Sequence, residues 1–296
     1  TYSRPVTKQQ RTSIVGIIVS VAVGALVALA GSDGSAQVGS IAVFALCGAL
    51  AYLINWAAFV PSSIAKTEHY FDLTGSITYI TVVIVAAALS EDLDARGVVV
   101  TLMVLVWALR LGTFLFRRVK RDGRDSRFDK IKVDPLRFFL TWTLQGLWVL
   151  LTLACALAII TGLDREDFGV FAIVGTAVWV IGFAIEVVAD RQKSAFRRDP
   201  DNEGRFITTG LWAWSRHPNY FGEITLWVGV AIMALPVLSG WRWVTLISPV
   251  FVVLLLTRIS GIPMLERRGA KRWGDDADYR AYVADTPVLV PRPPSR

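Results

Sequence analysis

Long apolar runs separated by short polar connections dominate the chain. Each run is about 18–25 residues long, the length a helix needs to cross a ~30 Å hydrocarbon core. Eight helices are expected, over 14–30, 38–60, 73–90, 97–116, 138–161, 168–189, 220–238 and 243–262. The expected fold is an all-α polytopic membrane bundle of about eight transmembrane helices. The first run, Ile14–Ala30, follows three basic residues and carries small-residue patterns of the signal-peptide kind. With seven further runs downstream, it is read as the first span.

The connections alternate in character. Twenty-six of the 31 Lys and Arg residues fall in 1–13, 61–72, 117–137, 190–219 and 263–296. The intervening connections carry only Arg96, Arg165 and Arg242, while Arg110 and Arg258 lie within spans. By the positive-inside rule both termini are expected in the cytoplasm of a cell-membrane protein. The basic-poor connections, such as Glu91-Asp92-Leu93-Asp94 and Asp164-Arg165-Glu166-Asp167, read as turns. No internal repeat is evident, which weighs against a transporter built from inverted repeats.

Composition sharpens this picture. Of 296 residues, 54% are hydrophobic and 19% charged, against about 45–50% and about 25% in soluble domains. An ordinary soluble enzyme is excluded. Cys47 and Cys155 both lie in apolar runs, and His69 and His217 are the two histidines. Neither a disulfide framework nor a histidine-rich metal site is expected. The net charge of +7 is explained by topology and anionic lipid. The alternating signs of 121–130 point to a self-paired loop. There is no Gly-x-Gly-x-x-Gly, no P-loop and no basic–aromatic interleaving of a nucleic-acid binder.

Charge within a bilayer costs at least ~2.5–3.5 kcal/mol, so polar residues in the spans carry information. Asp72 and Tyr79 are seven apart on helix three, hence on one face, with Thr74 and Thr78 nearby. Asp72 reads either as a helix cap or as a polar partner, and Tyr79 either as a packing aromatic or as a hydrogen-bond donor. Arg110 lies one turn after Trp107 on helix four, and Arg258 lies on helix eight; snorkelling competes with function for both. Glu186, Asp190, Lys193 and Arg197 are spaced four, three and four along a helix that leaves the membrane. They are either ion pairs along one helix or a polar wall facing a charged ligand. Arg197, Arg198 and Arg205 add guanidinium forks suited to phosphate.

The densest run of functional groups is Gly210–Glu223, with Ser215-Arg216-His217-Pro218-Asn219-Tyr220 and Gly222-Glu223. Pro218 restarts the chain before helix seven. Asn219 and Glu223 lie four apart on its first turns, suited to amide or ribose hydroxyl groups, and a helix N-terminus favours anions. Together these make a polar cup.

From about Glu186 to Pro291, and more weakly back to Arg110, the chain resembles the steroid 5α-reductase superfamily, in particular its bacterial DUF1295 branch. Asp190, Lys193, Arg197-Arg198-Asp199-Pro200, Asn202, Gly204-Arg205-Phe206, Gly210-Leu211-Trp212, Ser215–Glu223, Lys271–Gly274, Tyr279, Tyr282 and Pro287 carry the resemblance. The Arg-His-Pro-x-Tyr core with Gly-Glu is shared with isoprenylcysteine and phospholipid methyltransferases, which bind S-adenosylmethionine there.

The resemblance implies an NADPH-dependent reductase of a C=C bond in an apolar lipid entering from the bilayer. It divides the chain into N-terminal spans, 1–70, and a catalytic bundle, 71–296, whose cofactor-binding part is 186–296. The cofactor-binding residues it implies are Asp190, Arg197, Arg205, Asn219 and Glu223. Glu186, Lys193, Arg198, Arg216, His217, Tyr220 and Tyr279 complete the expected set. Steroid reductases use a Tyr and a Glu on early helices; here Trp107 stands where that Tyr would fall. Tyr79 with Asp72 is the substitute pair, and Arg110 the third expected catalytic residue. An S-adenosylmethionine-dependent methyltransferase and a non-catalytic lipid-binding or transport protein are the alternatives. The three arginines favour a phosphate-bearing cofactor over the cationic sulfonium.

Overall fold

A computed structural model describes residues 7–90, 92–122 and 128–294, with the backbone alone for 117–122. The helices are α1 (Lys8–Gly31), α2 (Val43–Ile64), α3 (Phe71–Leu89), α4 (Ala95–Asp122), α5 (Pro135–Thr161), α6 (Val170–Arg198), α7 (Pro218–Ala234), α8 (Ile247–Leu254), α9 (Ile262–Trp273) and α10 (Ala277–Asp285). Among the described residues, eight stretches are long and apolar enough to cross a membrane. The protein is an all-α polytopic membrane bundle.

Three expected boundaries need correction. The expected second helix began at 38, but Gln37–Val38 and Ile41–Ala42 form a small antiparallel hairpin. Gly39 at its turn takes φ +62°, a conformation glycine adopts without cost. The expected eighth helix, 243–262, is broken. A 3-10 stretch Gly240–Leu246 precedes α8, and a π turn at Leu255–Ile259 follows it. Pro263 then opens α9, which runs to Trp273. The sixth helix extends to Arg198, as its polar stripe required; its 29 residues span ~44 Å at 1.5 Å each. Asp72 is not the cap of α3. That position is Tyr70, and Asp72 lies in the first turn, where its charge favours the helix N-terminus. Residues 123–127 of the self-paired loop expected over 121–130 lie outside the described residues.

The chain divides into two compact units. The first comprises Thr1–Gly169 and Ala234–Ser248. Its centre is α5, apolar on all sides and packed against α1, α2, α3 and α4. Asp134 caps α5, accepting from the backbone N–H groups of Leu136 and Arg137 at 3.1 and 3.2 Å. Outward faces stay apolar and exposed, as at Ile18, Leu26 and Leu29 of α1, which suits lipid. Inward faces use small residues: Gly24 lies against the Tyr52 ring and Gly31 against Phe44. Asn55 is wholly buried; its amide donates to Ala51 O at 2.8 Å and Thr78 Oγ1 at 3.2 Å.

The basic-poor connections of this unit hold three arginines. Arg96 donates to Asp167 O at 2.8 Å and Arg165 to Ile159 O at 3.2 Å. Arg242 is fully buried and pairs with Asp164 and with Ser239 Oγ. Asp33 accepts from Trp241 N at 2.9 Å. These turns are a cross-linked cap.

The second unit comprises Val170–Met233 and Pro249–Arg296. Its α6 and α7 approach until backbones touch. A Cβ on Gly182 would lie 2.5 Å from Leu226 N, and one on Gly222 2.6 Å from Glu186 N. Gly175, seven residues earlier on α6, and Gly229, seven later on α7, repeat the contact. Such glycine seams give close van der Waals packing in lipid.

Candidate functional site

In the second unit the α6–α7 seam aligns two predicted sets of polar residues. Asn219, on the first turn of α7, donates from its amide to Asp190 Oδ1 of α6 at 3.2 Å. Glu186 is buried beside Gly222, and Asp190 is also buried. Glu223 lies one turn beyond Asn219 on α7. Lys193 sets its ammonium over the Trp212 ring, 4.1 Å from the centroid, a cation–π contact. Trp212 is anchored by its indole N–H to Ala189 O at 3.0 Å. Arg197 and Arg198 end α6 in exposed positions, and Arg205 is exposed in the following loop.

The Ser215–Tyr220 run is tied on both sides. Ser215 Oγ donates to Leu289 O at 2.8 Å and accepts from His217 N at 3.1 Å. Arg216 N donates to Pro287 O at 2.9 Å. Its guanidinium meets Glu266 Oε2 at 2.6 Å, and His217 Nε2 meets Glu266 Oε1 at 2.8 Å. Tyr220 stacks on the His217 ring at 5.7 Å. Burial pushes the His217 pKa below its ordinary value, with Glu266 pulling the other way. Tyr279 sits against Phe206 and Trp273 with its hydroxyl beside Gly269. Burial raises the pKa of Tyr279, and that of Tyr282 more strongly.

A polar cleft of about 750 Å³ also opens in this unit, lined by Asn202, Arg205, Phe206, Asp276, Tyr282 and Arg292 among others. Arg205 is the one predicted cofactor residue in its lining.

In the first unit, Tyr79 meets Trp107 edge to face, with ring centroids 5.0 Å apart and planes at 89°. Thus α3 brings the predicted donor to the α4 residue that replaces the resembling family's tyrosine. Arg110, one turn on, lies over the Phe114 ring at 5.6 Å. The same two helices line an apolar groove of about 510 Å³, with Leu73, Ile77, Ile80, Leu109 and Phe116 in its walls.

Residues 58–286 match the family described as Protein of unknown function (DUF1295). The chain belongs to the DUF1295 family. The DUF1295 chain is 32% identical over 128 residues to steroid 5-alpha-reductase DET2 of Gossypium hirsutum, covering 43% of this chain and 45% of that protein. It is 32% identical over 121 residues to delta(14)-sterol reductase ERG24B of Gibberella zeae, covering 36% of this chain and 24% of that protein. An uncharacterized protein of Schizosaccharomyces pombe is 26% identical over 161 residues, 45% of this chain and 46% of its own. The matched part therefore spans about half or less of these relatives' length. No solved structure matches the chain. The steroid 5α-reductase resemblance of the sequence agrees with these relatives, and the family is one of membrane proteins related to lipid reductases.

Glu266 is the member of the cup that sequence reasoning missed. Its signal is weak, one acid in a basic stretch after Pro263. Asn55 and Gln145 were also missed, though each is a carboxamide inside an apolar run. Gln145 donates to Phe71 O at 3.0 Å, so both amides hold α3 to its neighbours.

Proposed function

We propose that this DUF1295 protein is an NADPH-dependent reductase of a C=C bond in an apolar lipid. The observation that carries the reading is the Asp190–Asn219 contact across the glycine seam. It joins the two helices on which the cofactor-binding residues of the resembling reductases fall. The names of the two curated reductases support the same class.

The residues fit the cofactor. The exposed Arg197, Arg198 and Arg205 are forked donors for phosphate. Glu186, Asp190, Asn219 and Glu223 offer acceptors and a carboxamide to amide and ribose hydroxyl groups. Arg216, His217, Tyr220 and Tyr279 shape the rest of the cup, and Lys193 adds charge. When bound, NADPH supplies the hydride. Reduction of a conjugated C=C leaves negative charge on the carbonyl oxygen, and Tyr79 donates a hydrogen bond to that oxygen. Asp72 and Arg110 set the field around it. The groove of α3 and α4 gives an apolar lipid a path on the same helices. The catalytic bundle is assigned to 71–296, with 186–296 holding the cofactor.

Nucleotide selectivity tests the reading. Arg197→Ala or Arg205→Ala should weaken NADPH roughly tenfold or more, the loss of a charge-assisted hydrogen bond worth about 1.5–3 kcal/mol. NADH, which lacks the 2′-phosphate, should change far less. Calorimetry in detergent reads both. Equal weakening removes these arginines from phosphate recognition, and tight S-adenosylmethionine binding without NADPH binding replaces the reductase by a methyltransferase.

The cup and both termini are assigned to the cytoplasmic side of the cell membrane on the basic-residue bias. In a background lacking Cys47 and Cys155, Asp199→Cys should resist a membrane-impermeant thiol reagent in intact cells. Asp92→Cys should react. The reverse pattern inverts the topology.

A further inference from the structure

The geometry points to His217 as a ligand-binding acceptor, held in its neutral Nε2–H tautomer by Glu266 with Nδ1 offered to an N–H or O–H donor. Glu266 Oε2 accepts from the Arg216 guanidinium at 2.6 Å. A carboxylate paired in this way is ionised and can only accept. The 2.8 Å contact between Glu266 Oε1 and His217 Nε2 therefore requires the proton on Nε2.

The rest of the ring is fixed as well. His217 N donates to Ser215 Oγ, and Tyr220 stacks on one face. The side chain is only 6% exposed. Nδ1 is buried without a hydrogen-bond partner among the described residues. Burial and the nearby Lys193 and Arg216 oppose a charged ring, and Glu266 is the group that favours one. A neutral ring protonated at Nε2 has a lone pair at Nδ1 and nothing to donate there. A buried acceptor left unpaired costs about 1–3 kcal/mol, so the site selects a ligand carrying a donor. Phosphate or carboxylate oxygen does not satisfy it.

The inference rests on the reductase reading for the identity of the donor: the carboxamide N–H or a ribose hydroxyl of the nicotinamide nucleotide. Glu266 is then a positioning residue, acting through His217 and Arg216.

Two isosteres separate this role from a structural one. His217→Asn places an acceptor oxygen near the Nδ1 position and gives up the reach to Glu266. His217→Gln keeps a donor within reach of Glu266 and loses the acceptor. NADPH binding should weaken about tenfold in His217→Gln and clearly less in His217→Asn, one hydrogen bond being at stake. Wild-type affinity in His217→Gln, or equal weakening in both, overturns the proposal.

The unmutated protein gives a second reading, independent of how the variants fold. With two histidines in the chain, ¹⁵N-histidine spectra contain two rings, assigned with His69→Gln. His217 should show a bare Nδ1 and a protonated Nε2 at neutral pH. Saturating NADPH should move Nδ1 toward its hydrogen-bonded range. The 3-acetylpyridine analogue, without a carboxamide N–H, assigns the donor: a lost shift marks the carboxamide and a retained one the ribose. A protonated Nδ1 in the ligand-free protein, or an unmoved Nδ1 with NADPH bound, overturns the inference and leaves the reductase reading standing. NADPH failing to bind the wild type sinks that reading, and the named donor with it.

Discussion

Turnover by the Tyr79→Phe variant is expected to fall about 10²–10⁴-fold, with NADPH affinity unchanged. The substitution removes one hydroxyl and leaves the ring, so the edge-to-face contact with Trp107 at 5.0 Å survives. A tyrosine hydroxyl can donate a hydrogen bond to a carbonyl oxygen. Its proposed partner Asp72 lies seven residues away, ~10 Å along the helix axis, too far for a direct bond. The pair can share a substrate or a water between them, or act separately. Single-turnover measurement with a conjugated lipid ketone, once a reduced one is found, isolates chemistry from product release. A wild-type rate returns Tyr79 to the packing aromatics and leaves Arg110 as the donor to examine on α4.

The second large effect is on stability and is asymmetric. Arg242 is fully buried, whereas the side chain of Asp164 is 59% exposed. Two of the guanidinium nitrogens, Nε and Nη1, have no hydrogen-bond partner among the described residues, so Asp164 is its one acidic partner there. Asp164→Ala strands a buried charge and should destabilise the protein by about 3 kcal/mol, the low end for a broken buried pair. Exposure of the aspartate screens the attraction and sets that lower end. Arg242→Met leaves only an exposed carboxylate and should cost about 1 kcal/mol or less. The double variant should return to the level of Arg242→Met. Reversible unfolding in detergent measures all three; equal losses in the two single variants remove the asymmetry and the argument from burial.

The spans were legible because an apolar run of bilayer length has few alternatives. Their interruptions were less so. Gly39 turns a hairpin where the hydrophobic run merely continues, and the π turn at Leu255–Ile259 sits in a run that reads as uniform. Periodicity records which face is apolar, not how a helix is wound. For the polar cup, the spacing of Asp190, Asn219 and Glu223 named residues on two helices. Their meeting depends on Gly182 and Gly222, small residues that carry no chemistry of their own. Glu266 was invisible for a different reason: its partners lie 49 and 50 residues earlier in the chain. No local pattern couples them. The cross-linked turns were hidden in the same way, since Arg242 and Asp164 are 78 residues apart.

The glycine seam also restricts access. At Gly182 and Gly222, and again at Gly175 and Gly229, each backbone lies where a Cβ of the other would stand. Two such contacts seven residues apart leave no room for a side chain or a ligand between α6 and α7 along the seam. A ligand reaching the cup within this unit therefore passes its other walls rather than the seam. Those walls are α9, which brings Glu266, and the tail, which is held by the Ser215–Leu289 and Arg216–Pro287 hydrogen bonds.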